Sequence, residues 1–338
     1  MFTPPSCPNP VCAMHTAPVP LFFQKAGFYR RHSNPNPVQR FVCKACRVGF
    51  SSQTFRVDYR DRKPNLNESL VKLMISGVGL RQSARLLGMT LNNVEKKFRK
   101  LARHMGLLHE RLMGTFAPKS TFLLDELETF EESRLWKPLT VAYLIDKETS
   151  FSVTTKVGTL PPRGEAREII RREGLPEGKT KRKSESSKVV LETFEKLASH
   201  LAHDAKVILV CDLKRTYPGL AKRALGDRLV AVEAYSSKLP RDTVNPLFRI
   251  NHAFAMARDL TSRLRRRSWL ASKKREFLAL HLGAILCYRN YIRRRVNDAE
   301  ESAAMAAGFV DRRLTFAEVV EWRQDLGSFS VLPVARLA

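Results

Sequence analysis

The fold turns on TFLLDELETFE, residues 121–131. Apolar and aromatic residues lead the stretch, and Asp125 stands inside the apolar run. A short run of this composition reads as a strand. An ionised carboxylate among apolar side chains must be paired or bound to a metal. Side chains alternate between the two faces of a strand, so Glu126 and Glu128 project away from the face that Asp125 occupies. Asp125 is therefore the preferred ligand of the three.

Outward from this stretch, PLTVAYLID (138–146), TSFSVTTKVG (149–158), KVILVCD (206–212) and RLVAVEAY (228–235) also read as strands. LETFEKLASHLA (191–202) reads as a helix, and the polar, basic PPRGEAREIIRREGLPEGKTKRKSESSK (161–188) as a loop or mobile insertion, DNA-facing or merely solvated. A second carboxylate, Asp212, ends KVILVCD. A single strand aspartate at a sheet edge is often only a helix cap; the pair says more. In an RNase H-like α/β sheet, the first and the adjacent fourth strand each offer an aspartate to the same two divalent ions. A third ligand comes from a later helix. The order of elements here follows that plan, and two metals so held activate a water or 3′-hydroxyl and stabilise the leaving oxygen.

Charge gives the partner. The 338 residues carry 59 Lys and Arg against 33 Asp and Glu, a net +26, which implies a polyanion, most often nucleic acid. Residues 1–116 hold 19 basic and 5 acidic side chains, a net +14, leaving +12 for the larger remainder. Apolar content of 43% is that of a globular protein. No run approaches the roughly 18 apolar residues of a membrane span, and no secretory signal opens the chain. A cytoplasmic protein is expected, with no membrane partner.

Near the N-terminus, Cys7 and Cys12 are separated by four residues and Cys43 and Cys46 by two. Two such pairs are what a zinc ribbon requires: each knuckle presents two thiolates, and four close a tetrahedral structural site. So small a unit lacks a core, and zinc would supply its folding energy. His15 is a possible substitute ligand. Cys211 and Cys287, in apolar runs, read as core residues.

Residues 67–105 have helical rhythm: a helix ending at Gly77–Gly79, a short helix RQSARLL, a stop at Gly88, and a basic helix capped by Thr90. Ala84, Leu87 and Val94 turned inward make a helix-turn-helix. The last helix would expose Asn92, Asn93, Lys96, Lys97 and Lys100 to bases and phosphates; a generic three-helix linker with solvated charges is the plainer reading. SRLRRRSW (262–269), read as a basic helix carrying Arg265, Arg266 and Arg267, together with Lys273, Lys274 and Arg275, would hold a phosphate backbone. Trp136 and Trp269 could stack on DNA, although either suits a core.

Taken together, the C-x4-C…C-x2-C ribbon, FSSQTFRVDYRDRK, the helix-turn-helix, DELETF, VILVCD, RINHAFAMAR, SRLRRRSWLASKKREFLALHLGAILCYRNYIRRR and the late AAMAAGFVDRRLTFAEVVEWR resemble the DDE-type transposases of short bacterial insertion sequences that carry an N-terminal zinc ribbon. The resemblance implies an RNase H-like catalytic domain preceded by ribbon and helix-turn-helix domains. Its boundaries would be 1–60, 61–116, 117–296 with the insertion 161–188, and a C-terminal extension 297–338. By the same resemblance Asp125 and Asp212 match the first two catalytic acids. The third position, usually Glu, falls on Asn251, and the basic residue seven places on falls on Arg258. Asn keeps a metal-binding oxygen and loses a charge. The expected protein binds terminal repeats of double-stranded DNA, cuts and joins strands with Mg²⁺ or Mn²⁺, works as a homo-oligomer on DNA, and associates with the nucleoid. The rival reading is a decayed transposase or DNA-binding regulator that keeps end binding alone.

Overall fold

The computed structural model describes residues 2–31, 34–174, 182–240, 242–265 and 270–324. A short helix α1 (Ala13–Thr16) precedes a three-stranded antiparallel sheet of β1 (Phe23–Arg31), β2 (Asn34–Cys43) and β3 (Gly49–Ser51). Contrary to the coreless ribbon expected, Phe22, Phe41, Phe50 and Phe55 bury together beneath the cysteines. Aromatic rings give so small a unit much buried area per residue, and the Phe41 and Phe50 centroids lie 5.8 Å apart.

Three helices follow: α2 (Asn67–Met74), α3 (Leu80–Leu86) and α4 (Leu91–Leu112). Helix α2 stops at Met74, earlier than the glycines suggest, and the turn closes at Gly77 with φ +70°. The Gly77 amide donates to the Leu260 carbonyl at 3.0 Å. A Cβ there would meet the Asp259 carbonyl oxygen at 2.7 Å, so the turn needs glycine. Thr90 caps α4 as the sequence predicts, its hydroxyl accepting from the Asn93 amide at 3.4 Å. Val94, Phe98, Leu101, Met105 and Leu108 recur at helical spacing on α4 and are buried.

The main sheet contains β4 (Lys119–Phe130), β5 (Pro138–Asp146), β6 (Ser152–Thr159), β7 (Lys206–Asp212) and β8 (Leu229–Tyr235). Its spatial order is β6-β5-β4-β7-β8. The first three strands are antiparallel, and β7 and β8 run parallel to β4. Counting within the sheet this is 3-2-1-4-5, the RNase H-like arrangement. One face carries Leu123, Leu127, Tyr143 and Val210 against α8 (Phe248–Leu260) and α9 (Arg275–Cys287). The opposite face carries Phe122, Leu124, Leu144 and Cys211 against α6 (Ser186–Ala198), α7 (Tyr217–Leu225) and α4. Both faces are covered, which explains why β5 reads as an uninterrupted apolar run.

Two sequence readings change. The stretch 161–188 is not all loop: α5 (Glu165–Arg172) forms within it, hidden in the sequence because only Ile170 is buried. Residues 175–181 lie outside the described residues. The basic helix expected at 262–269 is a 3-10 turn, Ser262–Leu264, followed by extended Arg265. Arg266, Arg267 and Trp269 lie outside the described residues.

After one π-helical turn at Tyr288–Ile292, α10 (Ala303–Ala306) and α11 (Phe316–Glu321) return toward the N-terminal half. His104 of α4 meets the Val319 carbonyl at 2.7 Å through Nε2. The Gln324 amide donates to the Phe55 carbonyl at 2.7 Å, Arg323 bridges to Arg56, and the Arg323 guanidinium sits 4.7 Å from the Phe2 ring centroid. The described part of the extension thus clasps the ribbon at Phe2, Phe55 and Arg56. No described helix is long and apolar enough to cross a membrane.

Candidate active site and metal centre

The parallel pairing of β4 with β7 runs from Lys119 opposite Lys206 to Leu124 opposite Cys211. One more step in that register sets Asp125 beside Asp212. Neighbouring parallel strands are about 4.8 Å apart and point matched side chains to the same face. That face is the one α8 covers, since Leu123 and Val210 share it. Burial, then the charge of Asp212, pushes Asp125 up to about 7, against an accepted hydrogen bond from the Glu126 amide at 2.6 Å. Asp212 Oδ1 accepts from the Lys214 amide at 3.1 Å, which fixes the start of the loop after β7. Two adjacent half-buried carboxylates repel one another and offer hard oxygen donors, which fits a divalent cation such as Mg²⁺ or Mn²⁺.

Asn251 lies in the first turn of α8 and Arg258 two turns on, both half-buried. At about 100° per residue they fall on one flank of the stripe formed by Ile250, Phe254 and Ala257. The other flank carries Arg249, whose Nη1 donates to Ser150 at 3.0 Å, and Met256, whose sulfur meets Arg293 Nη1 at 3.4 Å. The Asn251–Arg258 flank therefore faces away from the β5–β6 turn and residue 293, toward the half of the sheet holding β7. Phe254, one turn from each, packs on Tyr143, the cross-strand neighbour of Asp125, at 5.9 Å between centroids. The Arg258 guanidinium stands 6.0 Å from the Phe254 ring centroid.

Glu126 does face the opposite side, but its role there is not legible in the sequence. Thr140 donates to it at 2.7 Å, Tyr217 at 2.9 Å and Ser186 at 3.1 Å, and Lys214 forms an ion pair with it. Burial would raise this carboxyl; Lys214 and the hydroxyls outweigh burial and hold it below its ordinary range. Lys214 thus joins the two strands, its amide on Asp212 and its ammonium on Glu126. Only the lysine two residues past Asp212 hints at this. Glu128 instead pairs with Arg163 at the surface.

The four ligand atoms of Cys7, Cys12, Cys43 and Cys46 all lie within 4.8 Å of one another. The sulfurs of Cys7 and Cys46 are 3.5 Å apart, and those of Cys12 and Cys43 3.9 Å. Bonds of about 2.3 Å at tetrahedral angles put sulfurs roughly 3.8 Å apart, so the donor set fits zinc. Amides turn onto the sulfurs, from Val48 to Cys46 and Met14 to Cys12. The Val48 amide is the main cause that brings Cys46 down to about 6, while burial pushes Cys7 up to about 12. His15 is not placed as a ligand: its Nδ1 meets the Cys7 carbonyl at 2.7 Å. Cys211 and Cys287 are buried, away from this cluster.

Among the residues expected to reach DNA, Asn92, Asn93, Lys96 and Lys100 are exposed on the first turns of α4. Lys97 is not. It is 8% exposed, pairs with Asp61, and donates to Asn67 Oδ1 at 2.6 Å and the Lys63 carbonyl at 2.8 Å. Its place between Val94 and Leu101 puts it on the buried stripe, where an ammonium must be paired. Lys100 donates to the Tyr59 carbonyl at 2.6 Å, and burial lowers its pKa. Arg265 is exposed and lays its guanidinium along the Gly77 turn; Lys273, Lys274 and Arg275 are exposed at the start of α9. Trp136 is half-buried.

No family model matches the chain. It is 34% identical over 71 residues to the insertion element iso-IS1N protein InsA of Shigella dysenteriae, a match spanning 21% of this chain and 76% of InsA. A solved structure, the Mos1 strand transfer complex, aligns with 66% of this chain and 76% of its own at 13% identity and a TM-score of 0.24, too loose a likeness to carry an inference.

Proposed function

Because the chain belongs to the insertion-element protein family of InsA, we propose that it is a transposase that binds the terminal repeats of its own element and cuts and joins DNA strands. The observation that carries this reading is the register that sets Asp125 beside Asp212 on neighbouring strands, with Asp125 raised to about 7. A group so raised is poised to take a cation in place of its proton. When bound there, Mg²⁺ or Mn²⁺ would supply an activated water or 3′-hydroxyl and a counter-charge for the leaving oxygen. Asp125 and Asp212 would hold the ions. Asn251 adds one neutral oxygen from α8, and Arg258 meets the DNA backbone from the same flank. Glu126 and Lys214 keep the two strand ends in register and touch no reacting atom.

The ribbon of residues 1–60, closed by zinc on Cys7, Cys12, Cys43 and Cys46, and the helices of 61–116 would grip double-stranded ends. Asn92 and Asn93 would reach bases; Lys96, Lys100, Arg265, Lys273 and Lys274 would meet phosphates. Cutting both ends of one element favours a homo-oligomer on DNA. The protein would work on nucleoid DNA in the cytoplasm. The neutral Asn251 favours one second reading, a regulator that binds ends without cutting them.

Purified protein incubated with its own flanking ends and Mg²⁺ or Mn²⁺, followed by strand mapping, separates the two. Cleavage at the element boundary is expected, lost in Asp125→Ala and Asp212→Ala while end binding stays within about twofold. Asn251→Ala should lose activity and Asn251→Glu keep or raise it. Uncut ends with intact binding would leave the regulator.

A further inference from the structure

An open cavity of about 640 Å³ lies between the first turns of α8, the β5–β6 turn and residues 289–296. Lys147, Arg249, Arg289 and Arg293 line it, together with Phe248 and His252. Arg294 and Arg295 line it too and are balanced by Glu300 and Glu301. Of the six lining cations, Lys147, Arg249, Arg289 and Arg293 have no ion-pair partner among the described residues.

Arg289 is the telling one. It is 9% exposed, and Nη1 donates to the Tyr143 hydroxyl at 2.8 Å, which in turn meets Ser152 Oγ at 3.0 Å. A buried guanidinium held only by neutral oxygens, with its remaining edge toward a cavity, is a fixed fork for an anion. Asp146, on the strand beside it, is engaged by the Thr149 amide and hydroxyl and does not line the space. Partial burial, then Arg289 and Arg293, lowers the pKa of His252. Its ring is therefore neutral near pH 7, and it stacks on Phe248 at 6.3 Å and 19°. Cations on one wall and paired flat rings on another suit a phosphate joined to a base. The volume falls within the roughly 300–1,000 Å³ of small-ligand pockets.

The cavity is not the aspartate site. Lys147 follows Asp146, which pairs with Phe122, three residues before Asp125, so the two lie roughly 10 Å apart along the strand. Resting on the DNA reading above, we propose that this cavity holds one unpaired nucleotide of a DNA strand. Its phosphate sits on Arg289, Arg293 and Arg249, and its base lies against Phe248 and His252. A strand crossing α8 would then be gripped a short distance from the aspartates, by contacts that tolerate any base.

The full-length protein with zinc retained would be titrated, by fluorescence anisotropy, with a labelled single-stranded 12-mer, a duplex of the element end, and a labelled mononucleotide. The double variant Arg249→Ala/Arg293→Ala should weaken single-strand binding about tenfold or more and reduce its log–log salt slope by about 1.4, two phosphates' worth. Duplex-end affinity should stay within about twofold of wild type. Phe248→Ala should cost about fivefold or more on the normal 12-mer and nothing on an abasic one, where no base can stack. Equal losses for duplex and single strand would overturn the proposal, as would a mononucleotide binding as tightly as the 12-mer. Wild-type protein that cuts duplex ends but ignores single strands sinks this site alone. Protein that binds no DNA sinks the transposase reading with it.

Discussion

Asp125 should set the pH dependence of stability in protein free of Mg²⁺ and Mn²⁺. Its carboxyl rises from an ordinary 3.8 to about 7, through burial and the neighbouring Asp212. The native state therefore holds this proton more tightly than the unfolded chain does. Between those two values the native state binds more protons, so stability falls as pH rises. At about 1.4 kcal/mol per tenfold in proton affinity, the gap is worth on the order of 4 kcal/mol of stability, fully present below about pH 4 and lost above about pH 7. Asp125→Asn keeps the shape and removes the charge. It should leave stability nearly unchanged at pH 4 and raise it by up to that amount at pH 8. The assay is urea unfolding of both proteins at pH 4, 6 and 8, with zinc left in the ribbon so that its own pH dependence cancels in the difference. Adding Mg²⁺ at pH 8 should stabilise the wild type, by about 2.7 kcal/mol at a hundredfold excess over its Kd, and leave Asp125→Asn unmoved. A wild-type-to-variant difference that does not change with pH would refute the electrostatic reasoning.

Cys43→Ser should drop metal content from one zinc per chain to none and expose the ribbon to protease, while the sheet after residue 117 keeps its unfolding midpoint; a zinc-free wild type by metal analysis would contradict this. Lys97→Ala should cost about 3–5 kcal/mol, because it strands the buried Asp61 carboxylate, whereas exposed Lys96→Ala should stay within about 0.5 kcal/mol and weaken DNA binding instead. Equal unfolding midpoints for the two variants would argue against the buried pair.

The sheet was largely legible because its signals are local. PLTVAYLID marks β5 residue for residue, and apolar runs interrupted by a carboxylate mark β4 and β7. The two aspartates could be paired on paper once the strands were ordered, and the four cysteines by spacing alone. What escaped depends on distant partners. Lys97 sits at helical spacing from Val94 and Leu101, a sign of burial, but nothing local says that Asp61 and Asn67 wait beside it. Helix α5 escaped because charged residues surround its single buried isoleucine. Strand alternation gives Glu126 its face and no more, since its partners come from β5, α6, the loop after β7 and α7. The apolar run at 278–288 is a core helix whose close approach to α4, with 3.8 Å from a Cβ built on Gly283 to the Gly106 Cα, no pattern announces.

The clasp between Gln324 and Phe55 also orders events in time. A growing chain meets its earlier elements first, and nascent domains fold as they emerge from the ribosome. The ribbon and the helices after it can form early, but the backbone bridge at Arg56 and the hydrogen bond to the Phe55 carbonyl form only once residues 323 and 324 have been synthesised. A product cut short by a frameshift or a stop codon anywhere before that point would carry the ribbon and the helices after it unlatched. The length of the translated product thus sets the state of the N-terminal half, and only a ribosome that reads through residue 324 makes the closed one.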